Sequence, residues 1–445
     1  MKLPPFKPLS GQYFELPISY LASRYAARLL QSLGVTVGFS DDSLFDPALD
    51  CAAGWAASGL IPLTGFSGQP PLQGAGAIPA CADGVLEALR LLCGCDLLPG
   101  VHGATLLSER AAILGLSRNG QVSANGSCQL LETADGWIAI NLARTDDWQL
   151  LPAWLEVPVA EGDQQALARQ VKKRARKDLV ERAALLGLAV AESRMGEPVD
   201  HWFHQVGSAT FQKNRRENPR VVDLSSLWAG PLCSHLLQQA GASVVKVESL
   251  FRPDGARLGS PVFFDLLHAG KEQIRIDFSS NEGRERLREL LESADLVIEG
   301  SRPRALQQLG IHAEVITQKK PGLIWLSLTG YGRGGESANR IAFGDDAAVA
   351  AGLSAATSDP PVFCGDAIAD PLTGLHAALL ATACLRRGLG GLFDLSLCNT
   401  TRFCLQFADG EITQRGTVTG SEENWQLRLG EKTFAVANPG QRKSC

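Results

Sequence analysis

From Arg220 onward, short apolar runs alternate with helical periods. Val221 to Leu224 precedes a helical stretch near Pro231 to Gln239, and Ser243 to Val247 follows it. After Asp277, residues Leu287, Leu290, Leu291 and Ala294 fall at i, i+3, i+4 and i+7 of a helix over Asn281 to Ala294. Leu296-Val297-Ile298 and Leu323 to Leu328 supply two further strands. This alternation is the β-α-β signature of an α/β fold built on a Rossmann-like parallel sheet with helices.

Ligands of open parallel sheets gather at the carboxyl ends of the strands. Here those ends read Ser225-Ser226 to Pro231, Glu248 onward, Glu299-Gly300-Ser301-Arg302 and Thr329-Gly330-Tyr331-Gly332-Arg333-Gly334-Gly335. Glycine-rich turns in such places present backbone N–H groups to anions or carbonyl oxygens. Neither a Walker A pattern nor G-x-G-x-x-G follows the first strand, so ATP and NAD are not indicated.

The chain also resembles itself. Ile18 to Val37 lies over Ser225 to Val244, sharing Ala22 with Ala229, Leu29-Leu30-Gln31 with Leu236-Leu237-Gln238, and Gly34 with Gly241. A second block aligns Gly59-Leu60 with Gly352-Leu353, Ala77-Ile78 with Ala367-Ile368, and Gly84 with Gly374, which sets Ala80 opposite Asp370. Two blocks in one order imply a degenerate half-copy ahead of an intact copy. Between them, Gln129 to Ala143 reads as a hairpin turning at Asp135-Gly136, and a helix starts at Asp146. The expected division is 1–127 for the partial copy, 128–212 for a small α/β domain and 213–445 for the intact large domain, with Lys213 to Pro219 as linker.

With 45% hydrophobic and 20% charged residues over 445 positions, the chain can fill more than one core. A net charge of −5 argues against a general nucleic-acid binder. The basic run Lys172-Lys173-Arg174-Ala175-Arg176-Lys177 sits within a helical pattern and reads as a solvated face. Eleven cysteines without paired knuckle spacing indicate reduced thiols and no zinc site. No apolar run reaches the length of a membrane span or a signal h-region, so no membrane partner and a cytoplasmic location are expected.

The residues of the second half, in their order, resemble the class III CoA-transferases (CaiB/BaiF), the family of formyl-CoA:oxalate and carnitine CoA-transferases and of α-methylacyl-CoA racemases. Ala229-Gly230-Pro231, Gly241-Ala242 and Val245-Lys246-Val247-Glu248 resemble its opening motifs. Gly270-Lys271, Arg302-Pro303, Gly330-Tyr331-Gly332 and Asp370-Pro371-Leu372-Thr373-Gly374 resemble its later ones. Arg304 departs from the family's R-P-G segment, and Glu272 from an arginine common after the lysine.

The resemblance implies an acyl-CoA transferase whose substrates are acyl-CoA and a carboxylic acid, with coenzyme A as substrate and no cofactor. It implies Asp370 as the covalent carboxylate, and Ala229, Gly230, Pro231, Lys246, Glu248, Lys271 and Arg302 at coenzyme A. Gly330, Tyr331, Gly332, Gly390 and Gly391 are the expected oxyanion loops. Relatives form interlocked dimers, so a homodimer or a pseudo-dimeric monomer is expected. From spacing alone, Asp370 before Pro371 reads as a helix N-cap, and Lys246 and Glu248 as a charged strand end; the motif is what points to a nucleophile. A racemase would pair the aspartate with a histidine, and no histidine lies between His312 and His376. A CoA-binding scaffold without catalysis is the other alternative, against which the retained Asp370 argues.

Overall fold

The computed structural model describes residues 6–17, 19–40, 45–212, 216–422 and 424–442. Near its start, β1 (Tyr13–Leu16) and β2 (Thr36–Phe39) pair in parallel, and helix Leu21–Ser32 connects them. The expected hairpin forms as β3 (Cys128–Thr133) and β4 (Gly136–Asn141), with Gly136 at φ 142 in the turn. β5 (Ala189–Ser193) completes a three-stranded antiparallel sheet, which three helices between Asp147 and Leu186 cover from one side.

The large sheet contains β6 (His204–Phe211), β7 (Arg220–Asp223), β8 (Ser243–Ser249), β9 (Glu272–Ile276), β10 (Leu296–Glu299), β11 (Ile324–Thr329) and β12 (Leu389–Ser396). Its order is β6-β12-β11-β10-β7-β8-β9, and every pairing is parallel except β6 with β12. β10 and β11 are buried along their whole lengths, as their largely apolar sequences require. The chain runs outward from β7 to β9, returns to the other side of β7 as β10, and continues to β12. The order therefore reverses between β7 and β10, which opens a crevice beyond their carboxyl ends.

Helix Ala369–Arg387 lies at the centre of the largest core. Its Ala/Leu run is apolar nearly all round, which fits a helix packed on several sides. Pro371 falls in the first turn, where a missing N–H costs nothing, and Gly388 ends the helix at φ 72. Gly374 lets helix Ala229–Gln239 approach: a Cβ there would stand 2.5 Å from the Ala229 carbonyl oxygen. In the N-terminal region, helix Ile78–Cys93 meets Leu21–Ser32 in the same way, and a Cβ on Gly84 would stand 2.4 Å from the Ala22 oxygen.

Two expectations change. β6, which falls within the expected small domain of 128–212, joins the large sheet through β12 instead. The basic run lies mostly in a break between helices Gln164–Val171 and Arg176–Leu186, because Arg174 turns back to bond the Gln170 and Leu155 carbonyls. Of the linker, residues 213–215 lie outside the described residues. A short meander, β13 (Thr417–Thr419), β14 (Gln426–Leu429) and β15 (Lys432–Ala435), returns to pack on helix Pro47–Ala57.

Candidate active site

Asp370 stands in the first turn of the central helix, but the cap position is Ile368 and no side chain caps that end. The N-cap reading is thereby corrected: the carboxylate has no hydrogen-bond partner among the described residues. It faces Gly344, where a Cβ would lie 2.7 Å from Asp370 Oδ2. The backbone just before the helix is strained, with Ala367 at φ 44. Asp345 holds that turn by accepting the Ala367 N–H at 2.8 Å.

Around Asp370 stand three more carboxylates, all buried: Asp345 and Asp346 of helix Gly344–Ala350, and Asp366. Two groups from the first 127 residues close the cluster. Arg110 meets Asp366 through Nε at 2.6 Å and Nη2 at 2.5 Å, while its guanidinium lies over the Trp228 ring at 5.1 Å. Asn125 Nδ2 donates to Asp345 Oδ2 at 2.7 Å and to Asp366 Oδ1 at 3.2 Å. From the small domain, Asn141 Nδ2 donates to Asp346 at 3.1 Å.

Burial first, opposed by the Arg110 charge and reinforced by the three neighbouring carboxylates, pushes Asp370 up to about 7. Asp346 is likewise pushed up to about 7, and Asp345 to about 6, chiefly by burial. Asp370 keeps some solvent exposure, unlike the other three. A carboxylate that is accessible, unbonded and titrating near neutrality is suited to attack or to hold a proton.

Of the expected loop residues, Tyr331 reaches the cluster, its hydroxyl 3.4 Å from Asp346 Oδ2 and its ring 3.9 Å below the Arg340 guanidinium. Gly330 and Gly332 are pinned beside it, Gly330 accepting from the Cys398 N–H and Gly332 donating to Thr329 Oγ1. Arg333 ties the same loop to Glu299 and Glu314. Gly390 and Gly391 are corrected: they open β12, beyond the far end of the nineteen-residue central helix, which at 1.5 Å per residue is about 28 Å from its Asp370 end.

Ala229, Gly230 and Pro231 begin the helix after β7, with Gly230 close against Ser225. Lys246 is fully buried and paired with Asp254 at 2.8 Å, while Glu248 pairs with Arg257. Lys271 donates to the Pro231 carbonyl at 3.0 Å and Ser234 Oγ at 2.7 Å, and lies 3.6 Å from Asp223. These three charges are partnered inside the protein, so a direct grip on an anion does not fit their positions. Arg302 differs: it is half-buried at the carboxyl end of β10. Burial, then the charges of Arg304, Arg144 and Arg252, holds its pKa below the usual arginine range. His235 is buried and pushed down to about 2, mainly by desolvation, so it stays neutral. His376 bonds the Leu372 carbonyl and the Tyr25 hydroxyl, which leaves neither ring nitrogen free for proton transfer at Asp370.

A family model described as CoA-transferase family III matches residues 217–436. This segment is thus similar to CoA-transferase family III. Relatives of the segment include an acyl-CoA transferase of Fusarium pseudograminearum, 32% identical over 215 residues, covering 43% of this chain and 47% of the relative. Another is the succinyl-CoA–D-citramalate CoA-transferase of Chloroflexus aurantiacus, 31% identical over 195 residues and covering 41% and 48%. The chain thus spans about half the length of the curated relatives it matches. A solved CaiB/BaiF family protein from Brucella suis is 28% identical, with a TM-score of 0.43, covering 47% of this chain and 64% of that one.

Arg110, Asn125, Asp345, Asp346 and Asp366 escaped the sequence reading. Asp366 and the Asp345-Asp346 pair carry a weak signal, acidic residues in otherwise apolar, glycine-bearing stretches. Arg110 has no local signal, because its partner is 256 residues away.

Proposed function

We propose that this protein transfers coenzyme A from an acyl-CoA donor to a carboxylic acid, with Asp370 as the covalent carboxylate. The observation that carries the reading is the unbonded Asp370 carboxylate at the head of the central helix, inside the segment similar to family III. Asp370 oxygen attacks the donor thioester carbonyl, the C–S bond breaks, and an anhydride and CoA thiolate result. The thiolate then attacks the aspartyl carbonyl, expelling the donor acid and leaving an aspartyl thioester. The acceptor carboxylate attacks that thioester, again releasing the thiolate, which takes the acceptor acyl group as new acyl-CoA and frees Asp370. No metal or cofactor enters this sequence.

Arg302, just past the carboxyl end of β10, supplies the anion site together with Arg304 and Arg252, whose charges bear on it, and among the described residues none of the three is in an ion pair. They would receive the phosphates of coenzyme A. Ala229, Gly230, Pro231, Lys246, Glu248 and Lys271 serve the crevice between β7 and β10 indirectly, by fixing the turns that shape it. We read residues 1–127 as a half-copy of the large domain; the like packing at Gly84 and Gly374 supports this. One composite site per chain follows, in a monomer or a homodimer, and a cytoplasmic setting suits acyl-CoA substrates. Asp370→Asn should bind CoA with little change and exchange labelled CoA between acyl donors and acids at least about 10³-fold more slowly. Near wild-type exchange would sink the proposal.

A further inference from the structure

We infer that Arg110, carried by the N-terminal region, is a positioning residue that decides when Asp370 acts as a nucleophile, and that Asn125 holds the carboxylates through which it does so. This rests on the reading of Asp370 as the covalent residue.

The geometry carries the inference. Four carboxylates share one small volume: Asp345 and Asp346 on one helix, Asp366 in the strained turn, and Asp370 a turn further on. Arg110 is the cation that faces Asp366, Asp345 and Asp370 together. Its two-point grip on Asp366 leaves the guanidinium beside Asp370 without engaging it. Trp228, the N-cap residue of helix Ala229–Gln239, supports a face of the guanidinium. Asn125 keeps Asp345 and Asp366 apart by donating to both, and Asp345 in turn fixes Ala367. Burial of so many like charges favours the protonated, non-nucleophilic form of Asp370, and one nearby cation opposes it. Tyr331, bonded to Asp346, and the Cys128 and Cys398 thiols also face these carboxylates; burial raises all three above their usual values, so they stay neutral.

The arrangement predicts opposite signs for two substitutions. Removing the cation should make Asp370 harder to ionise; removing the Asp366 charge should make it easier and leave Arg110 free to face Asp370. A residue that merely props up the fold would not produce opposed shifts.

The test uses the full chain. Wild type, Arg110→Met, Arg110→Lys and Asp366→Asn are incubated with acyl-CoA, the intermediate is captured with hydroxylamine, and its rate of formation at Asp370 is followed over roughly pH 5–9. Wild type should rise with a midpoint near about 7. Arg110→Met should move the midpoint up by about one unit or more, slowing capture about tenfold at neutral pH. Arg110→Lys should recover most of that shift, and Asp366→Asn should move the midpoint down. Unchanged midpoints, or shifts of the same sign in Arg110→Met and Asp366→Asn, overturn the inference. If Arg110→Met does not fold, the Lys and Asn variants still decide it. Absence of capture at Asp370 in wild type at every pH would instead remove the transferase reading, and this inference with it.

Discussion

Two helix pairs in this molecule pack alike and differ in what they carry. Leu21–Ser32 against Ile78–Cys93, and Ala229–Gln239 against Ala369–Arg387, each close at a glycine facing a carbonyl 2.4–2.5 Å from where a Cβ would be. Each first helix also connects two parallel strands. In the proposed register Ala80 stands where Asp370 stands. Ala80 lines an open cavity of about 350 Å³ with Asp50, Asp83, Glu87 and Arg90, whereas Asp370 faces Gly344, the Asp366 turn and Arg110. A helix pair is thus only a platform, and the chemistry belongs to the loops that reach its first turn.

The largest effect expected from this comparison is on activity. Asp370→Asn should cost at least about three orders of magnitude in transfer, and Ala80→Asp in that background should return none of it, because Arg90, the arginine that lines the cavity at position 80, is engaged by the Leu97, Leu98 and Val101 carbonyls and does not take the place that Arg110 has beside Asp370. Recovered exchange in the double variant would show the two platforms to be equivalent.

Next in size is the packing itself. Gly84→Ala and Gly374→Ala each push a methyl group into backbone, and each should destabilise by about 2–4 kcal/mol in urea unfolding. If one is tolerated and the other is not, the two pairs are not packed alike.

A smaller effect follows from ionisation. Asp370 is raised to about 7, above its value in an unfolded chain, so the folded state binds a proton more tightly. Its contribution is neutral at acid pH and becomes destabilising as pH rises from about 4 through about 7. Asp370→Asn should therefore be more stable than wild type by about 1–2 kcal/mol at pH 8, after allowance for the solvent reaching the carboxylate, and equal to it near pH 4. Ala80→Asp should show a weaker change of the opposite sign, since the cavity near position 80 is open. Thermal melts at the two pH values check both.

Four strands (β7, β8, β10 and β11) and two helices (Ala229–Gln239 and Asn281–Ser293) were legible because each carries its own periodicity, and their observed ends fall within two residues of the expected ones, whereas β9 and the shorter helices Pro261–His268, Pro303–Gln308 and Ala313–Lys319 were not read. Asp370 was legible as a motif. Its surroundings were not, because Arg110, Asn125 and Asn141 reach the neighbouring carboxylates Asp345, Asp346 and Asp366 across the fold, and no local spacing encodes a contact between distant segments. Lys246 and Lys271 misled for a related reason: a basic residue near a strand end reads as a ligand contact, but Asp254, Asp223 and Ser234 supply buried partners. Gly390 and Gly391 were misplaced because a glycine pair does not reveal which end of its strand faces the crevice.

The most direct test of the central claim is chemical. Wild-type protein is mixed with acyl-CoA alone, quenched with hydroxylamine, digested and examined by mass spectrometry. The account predicts a hydroxamate on Asp370, absent from Asp345, Asp346 and Asp366 and lost in Asp370→Asn. A hydroxamate on any of the other three carboxylates, or none on Asp370 while CoA transfer proceeds, would contradict it.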